Sequence, residues 1–494
     1  MRKTRSDESA PTAWQPAPGR TLKRYEALAR DIAFSIRQGL LAPGDRLPSV
    51  RRASASRDVS PATVFEAYYL LESQGLIESR PRSGYYVAQA PRQHPMEPQR
   101  HSSPDGQARP VEISSLVFDI LRSVGSRDVV PLGSAFPSPL FYPLPRLGRA
   151  LALVATHMDP WSTVDDLTPG NFELRRQIAL RYMLGGATVD PAGIVITNGA
   201  MEALNLCLSA VCAPGDAVVV ESPCFYACLQ ALERLGLHAI EVATDPREGI
   251  DLHALEKALV EHKPKACWVM TNHQNPLGSS MGSEKKQALV ELLARHQVPM
   301  IEDDVYQELY FDTHRPANSK RFDDEGWVMH CGSFSKSLAP GYRVGWVAAG
   351  RFAEQVARQK LTASLGTSIP VQLAIAKYLE RGSYERHLRS LRSTLQLQRD
   401  EYIQAVAEYF PVGTRISRPG GGYFLWIELP EQVDALALAR RAGVDGISLA
   451  PGPMFTAAGG FDHFIRINFG HPLSAAVRSA LERLGELASA NAVK

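Results

Sequence analysis

The stretch Ser333-Phe334-Ser335-Lys336-Ser337-Leu338-Ala339-Pro340-Gly341-Tyr342-Arg343 decides how the rest of the chain is read. One lysine sits beside two serines, a Pro-Gly turn and an arginine follow, and then comes an apolar run. A lysine that forms a Schiff base must be uncharged to attack, and burial or a neighbouring cation lowers its pKa. Ser333, Ser335 and Arg343 are the polar groups that a phosphate tail needs. Taken alone, Ser-x-Ser-Lys would mark a loop with a solvated lysine. Arg343, the Pro-Gly turn and the apolar strand after it argue against that reading.

Three motifs further out fit the same chemistry. Met300-Ile301-Glu302-Asp303-Asp304-Val305-Tyr306 ends an expected strand. One carboxylate there suits a pyridinium nitrogen, which it would keep protonated; three clustered acids also resemble a divalent-metal site. Thr197-Asn198-Gly199-Ala200-Met201-Glu202 joins a strand to a helix, where the amides of Ala200 and Met201 can hold phosphate. Thr271 to Gly278 is a turn in which Asn275 can donate to a phenolate oxygen, or be an ordinary Asn-Pro turn.

These motifs lie in an α/β pattern. Ile194–Thr197, Ala217–Glu221, Ala239–Val242, Ala266–Thr271, Met300–Asp303, Val328–His330 and Gly345–Ala348 read as strands, several of them continuous apolar runs. With helices between most of them, a mainly parallel sheet buried on both faces is expected. From about Ser390 a long polar helix, the strand Tyr423–Leu429 and a terminal helix form a smaller α+β subdomain. At 494 residues, 45% hydrophobic and 21% charged, the chain exceeds one ordinary core and is expected to be soluble and multidomain. No stretch approaches about 18 uncharged apolar residues, so no membrane span is expected. Residues 1–19 read as a disordered tail rather than a signal peptide. Six scattered cysteines indicate reduced thiols in a cytoplasmic protein and no metal site.

Upstream of a Pro-rich linker at 89–111 the composition changes. Residues 1–100 carry 16 Lys+Arg against 10 Asp+Glu, although the whole chain has a net charge of only +2. A basic module of this kind suits a polyanionic partner. Leu22 to Gln38 has helical spacing; Ser49 is expected to cap a second helix through Arg57, and Ser60 a third with Pro61 in its first position. Two short strands then flank the arginine-rich tip Arg80-Pro81-Arg82. Two helices joined by a short turn, with a wing, suit a helix entering the major groove by its N-terminal end. Ser60, Ala62 and Thr63 face the nucleic acid on this reading. Arg46, Ser49 and Arg51 meet a phosphate strand, and Arg80 and Arg82 reach backbone or minor groove.

The run from Pro43 to Val87 is similar to the winged helix-turn-helix of GntR-type bacterial regulators, a likeness covering nearly all of residues 21–90. It departs from many relatives at Pro61 and Phe65, where they carry basic residues. From roughly residue 112 to 490 the chain resembles fold-type I pyridoxal-phosphate enzymes, the aspartate aminotransferase superfamily. That resemblance implies the cofactor on Lys336 as a Schiff base, Asp303 on its ring nitrogen, and Asn275 and Tyr306 on its 3-hydroxyl oxygen. It implies Phe225 as the ring-stacking aromatic, with Tyr226 a neighbouring candidate, and Arg466 on the α-carboxylate of a substrate. Ala200, Met201, Ser333, Ser335 and Arg343 then surround the phosphate. One family feature is replaced: Leu167 stands where a tyrosine usually reaches the partner subunit's cofactor phosphate.

The fusion resembles the MocR subgroup of GntR-family regulators. The expected order is a disordered tail (1–19), a winged helix-turn-helix domain (20–88), a Pro-rich linker (89–111) and an aminotransferase-like domain (112–494). The implied protein is a homodimeric regulator that binds a double-stranded DNA operator and senses pyridoxal 5'-phosphate, an amino acid, or both. The alternative is a working aminotransferase carrying a DNA-binding module.

Overall fold

The computed structural model describes residues 23–37, 40–42, 44–73, 75–80, 83–88, 95–98, 102–122 and 128–492. The chain divides into two compact units, residues 1–93 and 94–494. The expected 1–19 tail and Arg82 lie outside the described residues.

In the first unit, α1 (Arg24–Arg37), α2 (Val50–Arg57) and α3 (Pro61–Ser73) precede the antiparallel pair β1 (Ile77–Arg80) and β2 (Gly84–Val87). Both expected caps form: Ser49 Oγ accepts from the Arg52 amide at 3.3 Å, and Ser60 Oγ from the Thr63 amide at 3.1 Å. Each satisfies an otherwise unpaired donor in a first helical turn. Leu28, Ala33, Leu47, Val64, Tyr68, Leu71, Ile77 and Val87 share one small core. The Tyr68 hydroxyl donates to the Pro48 carbonyl at 2.8 Å and so ties α3 to the chain entering α2.

The second unit is built on a nine-stranded mixed sheet. Its strands are β3 (Ala108–Pro110), β4 (Ile194–Thr197), β5 (Ala217–Ser222), β6 (His238–Asp245), β7 (Gly249–Ile250), β8 (Ala266–Val269), β9 (Met300–Asp303), β10 (Val328–Ser333) and β11 (Gly345–Ala348). The spatial order is β3-β6-β5-β8-β9-β10-β11-β4, with β7 attached to β6. β6, β5, β8, β9 and β10 run parallel. Fully buried apolar strands of this kind need helices on both faces, and the sequence supplies them. β11 lies antiparallel to both β10 and β4. The sheet is therefore less uniformly parallel than the sequence pattern suggests, because the short connection through Arg343 lets β11 fold straight back.

This register assembles the site. Cys331 faces Asp303 across β10 and β9, and Val269 faces Glu302 across β8 and β9, so the chain leaves these strands along one edge. Loops at the carboxyl edge of parallel strands are where open α/β sheets bind ligands. Gly345 pairs with both Ser333 and Thr197. Segments separated by over 130 residues in the sequence thus become neighbours.

A smaller antiparallel sheet contains β12 (Arg415–Ile416), β13 (Phe424–Glu428), β14 (Ala450–Pro451) and β15 (Phe464–Asn468), in the order β12-β13-β15-β14. The helices Ser383–Tyr409, Ala435–Val444 and Ala475–Ala492 accompany it. Arg466 sits in β15 between Trp426 of β13 and Ala450 of β14, which fixes its backbone from both sides.

Parts of the expected linker are among the described residues. Residues 95–98 and 102–110 belong to the second unit and bond to the rest of it. Ala108, Arg109 and Pro110 pair with Ile240, Ala239 and His238, and Ser102 Oγ accepts from the Thr244 amide at 3.1 Å. The Met96 carbonyl accepts from the Ile416 amide at 2.9 Å, while Glu97 pairs with Arg247. Proline prevents a helix here, but extended backbone can still complete the open edge of a sheet.

Candidate functional site

Lys336 lies three residues beyond the end of β10. Its Nζ donates to the Ala135 carbonyl at 2.8 Å and stands 3.7 Å above the Phe136 ring centroid. Burial is the main cause that pulls its pKa down to about 7; Asp303 opposes the shift, while Arg466 and Arg343 add to it. A large fraction of this amine is therefore neutral near pH 7, the state that attack on a carbonyl requires.

The three acids of β9 and its exit have separate roles because a strand alternates its side chains. Glu302 accepts from Thr271 Oγ1, the Ser319 amide and Ser319 Oγ. Asp304 is 3.0 Å from His330 Nε2 and 3.1 Å from Asn272 Nδ2. Asp303 lies between them in sequence, 1% exposed, and its Oδ1 has no hydrogen-bond partner. Burial first, and the Asp304 charge second, push its pKa up to about 7. A buried carboxylate oxygen without a donor is costly unless a ligand supplies one. Among the described residues no group of three His, Cys, Asp or Glu is placed to hold a metal ion.

The phosphate-type residues form a second cluster. Ser333 Oγ bonds Ser335 Oγ at 2.9 Å and accepts from the Ser335 amide at 3.0 Å. Arg343, at φ 52, donates to Ser335 Oγ at 3.4 Å and to the Asn198 carbonyl at 3.1 Å. Ala200 and Met201 open the helix Ala200–Val211, whose N-cap Gly199 provides no side-chain cap. Gly199 has φ 85, and a Cβ added there would collide with the Arg343 guanidinium. A Cβ on Gly345 would lie 2.7 Å from the Ala200 nitrogen. The two glycines keep an uncapped helix N-terminus, two serines and an arginine together, a combination that favours an anion.

Near Lys336, Arg466 is wholly buried. It donates to Asn275 Oδ1 at 2.9 Å and to the Gly133 carbonyl at 2.8 Å, and lies 4.2 Å from the Phe424 ring centroid. Arg466 Nε and Asn275 Nδ2 are buried donors without partners. Tyr306 is buried edge-on to Tyr423, with centroids 5.4 Å apart. Phe225 is half-buried at the start of the helix Tyr226–Leu235, its ring 4.8 Å from that of Tyr226. Unpaired donors and acceptors of both kinds therefore surround one lysine.

Several residues that shape this site carry little signal in the sequence. The loop Gly133 to Phe136 covers Lys336, and Asn468 Nδ2 holds it by donating to the Ser134 and Phe136 carbonyls. Tyr423 donates to the same Ala135 carbonyl as Lys336, at 3.0 Å. Glu221 is buried at the end of β5 with Oε1 unpaired, and burial pushes it up to about 8. Glu202 fixes the Asn198 turn by accepting from its backbone amide at 2.6 Å, and is itself paired with buried Lys360 at 2.7 Å. Only Glu202, four residues after Asn198, carried a local signal.

In the first unit, Arg46, Ser49 and Arg51 are exposed, as are Ser60 and Ala62, while Thr63 is half-buried. The hydroxyls of Ser60 and Thr63 bond each other at 2.9 Å. Arg80 is turned onto its own strand pair, bonding Glu78 at 2.8 Å with its guanidinium 4.3 Å from the Tyr86 ring centroid.

Residues 167–484 match the family described as aminotransferase class I and II, and residues 24–87 match that described as bacterial regulatory proteins, gntR family. The uncharacterized HTH-type transcriptional regulator YdcR of Escherichia coli (strain K12) is 48% identical over 466 residues, covering 94% of this chain and 99% of that one. Aromatic-amino-acid aminotransferase 1 of Thermococcus litoralis is 30% identical over 383 residues, covering 76% and 91%. The crystal structure of Pyrococcus horikoshii kynurenine aminotransferase in complex with PMP matches with a TM-score of 0.71 at 29% identity, over 76% of this chain and 95% of that one.

Proposed function

The chain belongs to the aminotransferase class I and II family and carries a gntR-family winged helix-turn-helix; from that premise we propose a transcription regulator whose DNA binding responds to ligands of its large domain. The observation that carries the reading is the set of unpaired buried atoms on Asp303, Asn275 and Arg466 around a lysine held near neutrality. Pyridoxal 5'-phosphate matches that set. Lys336 is the amine for its aldehyde, Asp303 the partner of its ring nitrogen, and Asn275 and Tyr306 the partners of its phenolic oxygen. Phe225 packs on the ring. Ser333, Ser335, Arg343 and the amides of Ala200 and Met201 receive the phosphate. When bound, the cofactor supplies an electron sink for chemistry at an amino acid's Cα.

Arg466 receives the carboxylate of an amino-acid effector, a bidentate task suited to a guanidinium. Two copies paired through their large domains would offer two DNA modules to two half-sites. Leu140, Trp161, Phe172 and Leu184 are exposed apolar side chains that such a pairing would cover. Arg46, Ser49 and Arg51 hold phosphates around a recognition helix that begins at Ser60, Ala62 and Thr63. An effector shifts operator binding only by the difference between its affinities for two arrangements of the dimer.

The test is a footprint with the purified full-length protein. The expected result is a discrete protected DNA segment whose occupancy falls steeply with salt. Steady turnover of amino-acid and keto-acid pairs with no protected segment would instead establish a working aminotransferase.

A further inference from the structure

The recognition helix α3 contains no lysine or arginine. Its buried face is Val64, Ala67, Tyr68 and Leu71, which leaves Ala62, Phe65, Glu66 and Tyr69 on the opposite face. That face is unusual for a small soluble module: Phe65 is 54% exposed and Tyr69 66% exposed. The hydroxyls of Ser60 and Thr63 are engaged with each other. The cations lie around the helix instead, at exposed Arg46, Arg51 and Arg52. Phosphates are attracted to this rim but not to the apolar face, where Glu66 would repel them.

We infer that α3 reads its operator mainly through thymine C5-methyl groups, contacted by Ala62 and Phe65, with Glu66 accepting from a cytosine amino group. The inference rests on the operator-binding reading above and adds the base chemistry. In the major groove the thymine methyl is the one apolar feature that distinguishes a base pair, and alanine and phenylalanine are side chains that meet it. Guanine is commonly read by the fork of an arginine, and α3 has none. Glu66 suits a base edge with a donor, which cytosine N4 provides. The basic rim makes DNA, rather than a second copy of this chain, the partner for the apolar face.

The experiment selects bound duplexes from a random pool with full-length protein, then replaces thymines in the selected site one at a time by deoxyuridine, which lacks only the methyl. Each contacted thymine is expected to lose about fourfold in affinity, the effect of one buried methyl-sized group. In Phe65→Ala the thymine-to-uracil ratio at its contact falls to about one, while the salt dependence set by the arginines is unchanged. Phe65 is exposed, so its truncation leaves the core of the module intact. Enrichment of a defined sequence that is indifferent to every thymine-to-uracil exchange would overturn this inference alone. Equal weakening on both duplexes by Phe65→Ala, together with a change in oligomeric state, would show the face to be a protein contact and also overturn it. Failure to enrich any sequence would overturn the operator-binding reading and this one with it.

Discussion

The two functional regions hold their polar groups in opposite states. Around Lys336 the polar groups are buried and partly unpaired: Asp303 Oδ1, Asn275 Nδ2 and Arg466 Nε have no protein partner. Around α3 they are exposed or satisfied internally, with Ser60 bonded to Thr63 and Arg80 to Glu78. A buried site reveals its ligand through unmet hydrogen bonds, because each is costly until something supplies the missing partner. An exposed surface loses nothing by waiting in water. Its partner is read from charge and shape alone, which is why the cofactor region constrains its ligand far more tightly than the DNA module does.

Lys336→Ala has the largest expected effect. The visible absorbance of bound pyridoxal phosphate should disappear entirely, while DNA affinity measured without ligand should not change. Asp303→Asn keeps the shape but removes the charge. A hydrogen bond to a charged group is worth about 1.5–3 kcal/mol, so cofactor retention should fall roughly ten- to hundredfold, measured by dialysis and absorbance.

The pH dependence of cofactor loading has a definite sign. Only neutral Lys336 attacks, so the rate should fall about tenfold for each pH unit below its pKa. With that pKa lowered to about 7, loading should rise with pH up to about 7 and then level off. A rate still climbing towards pH 10 would show an ordinary solvated lysine and remove the basis of the contrast. Arg46→Ala sharpens the other side: binding should weaken by a similar factor on every DNA sequence, and the salt slope should fall by about one. Glu97→Gln has the smallest expected effect, because an exposed ion pair contributes about 0–1 kcal/mol. It should loosen residues 95–98 from Arg247, seen as faster amide exchange there, without changing cofactor retention.

Much of this was legible in the sequence. The strand–turn motifs around Gly199, Asp303 and Lys336 are local, and each announces its chemistry within a few residues. What escaped depends on distant pairing. The loop Gly133 to Phe136 meets Lys336 across some 200 positions and carries no periodic or charged signal. β10 extends to Ser333, beyond the expected strand Val328–His330, because β11 folds back against it. The pairing of residues 108–110 comes from the open edge of β6, which a Pro-rich stretch cannot announce by itself. In the DNA module the helices and their caps were legible, but the contact of exposed Arg80 with the Tyr86 ring was not, since it depends on pairing across the hairpin.

In the proposed regulator one chain couples the buried site to the exposed one. The most direct test measures the affinity of full-length protein for its selected operator at fixed salt, with and without pyridoxal phosphate and amino acid, in wild type and Lys336→Ala. A ligand-dependent shift in wild type that vanishes in Lys336→Ala is the predicted result. Operator affinity that is identical under all four conditions would contradict it.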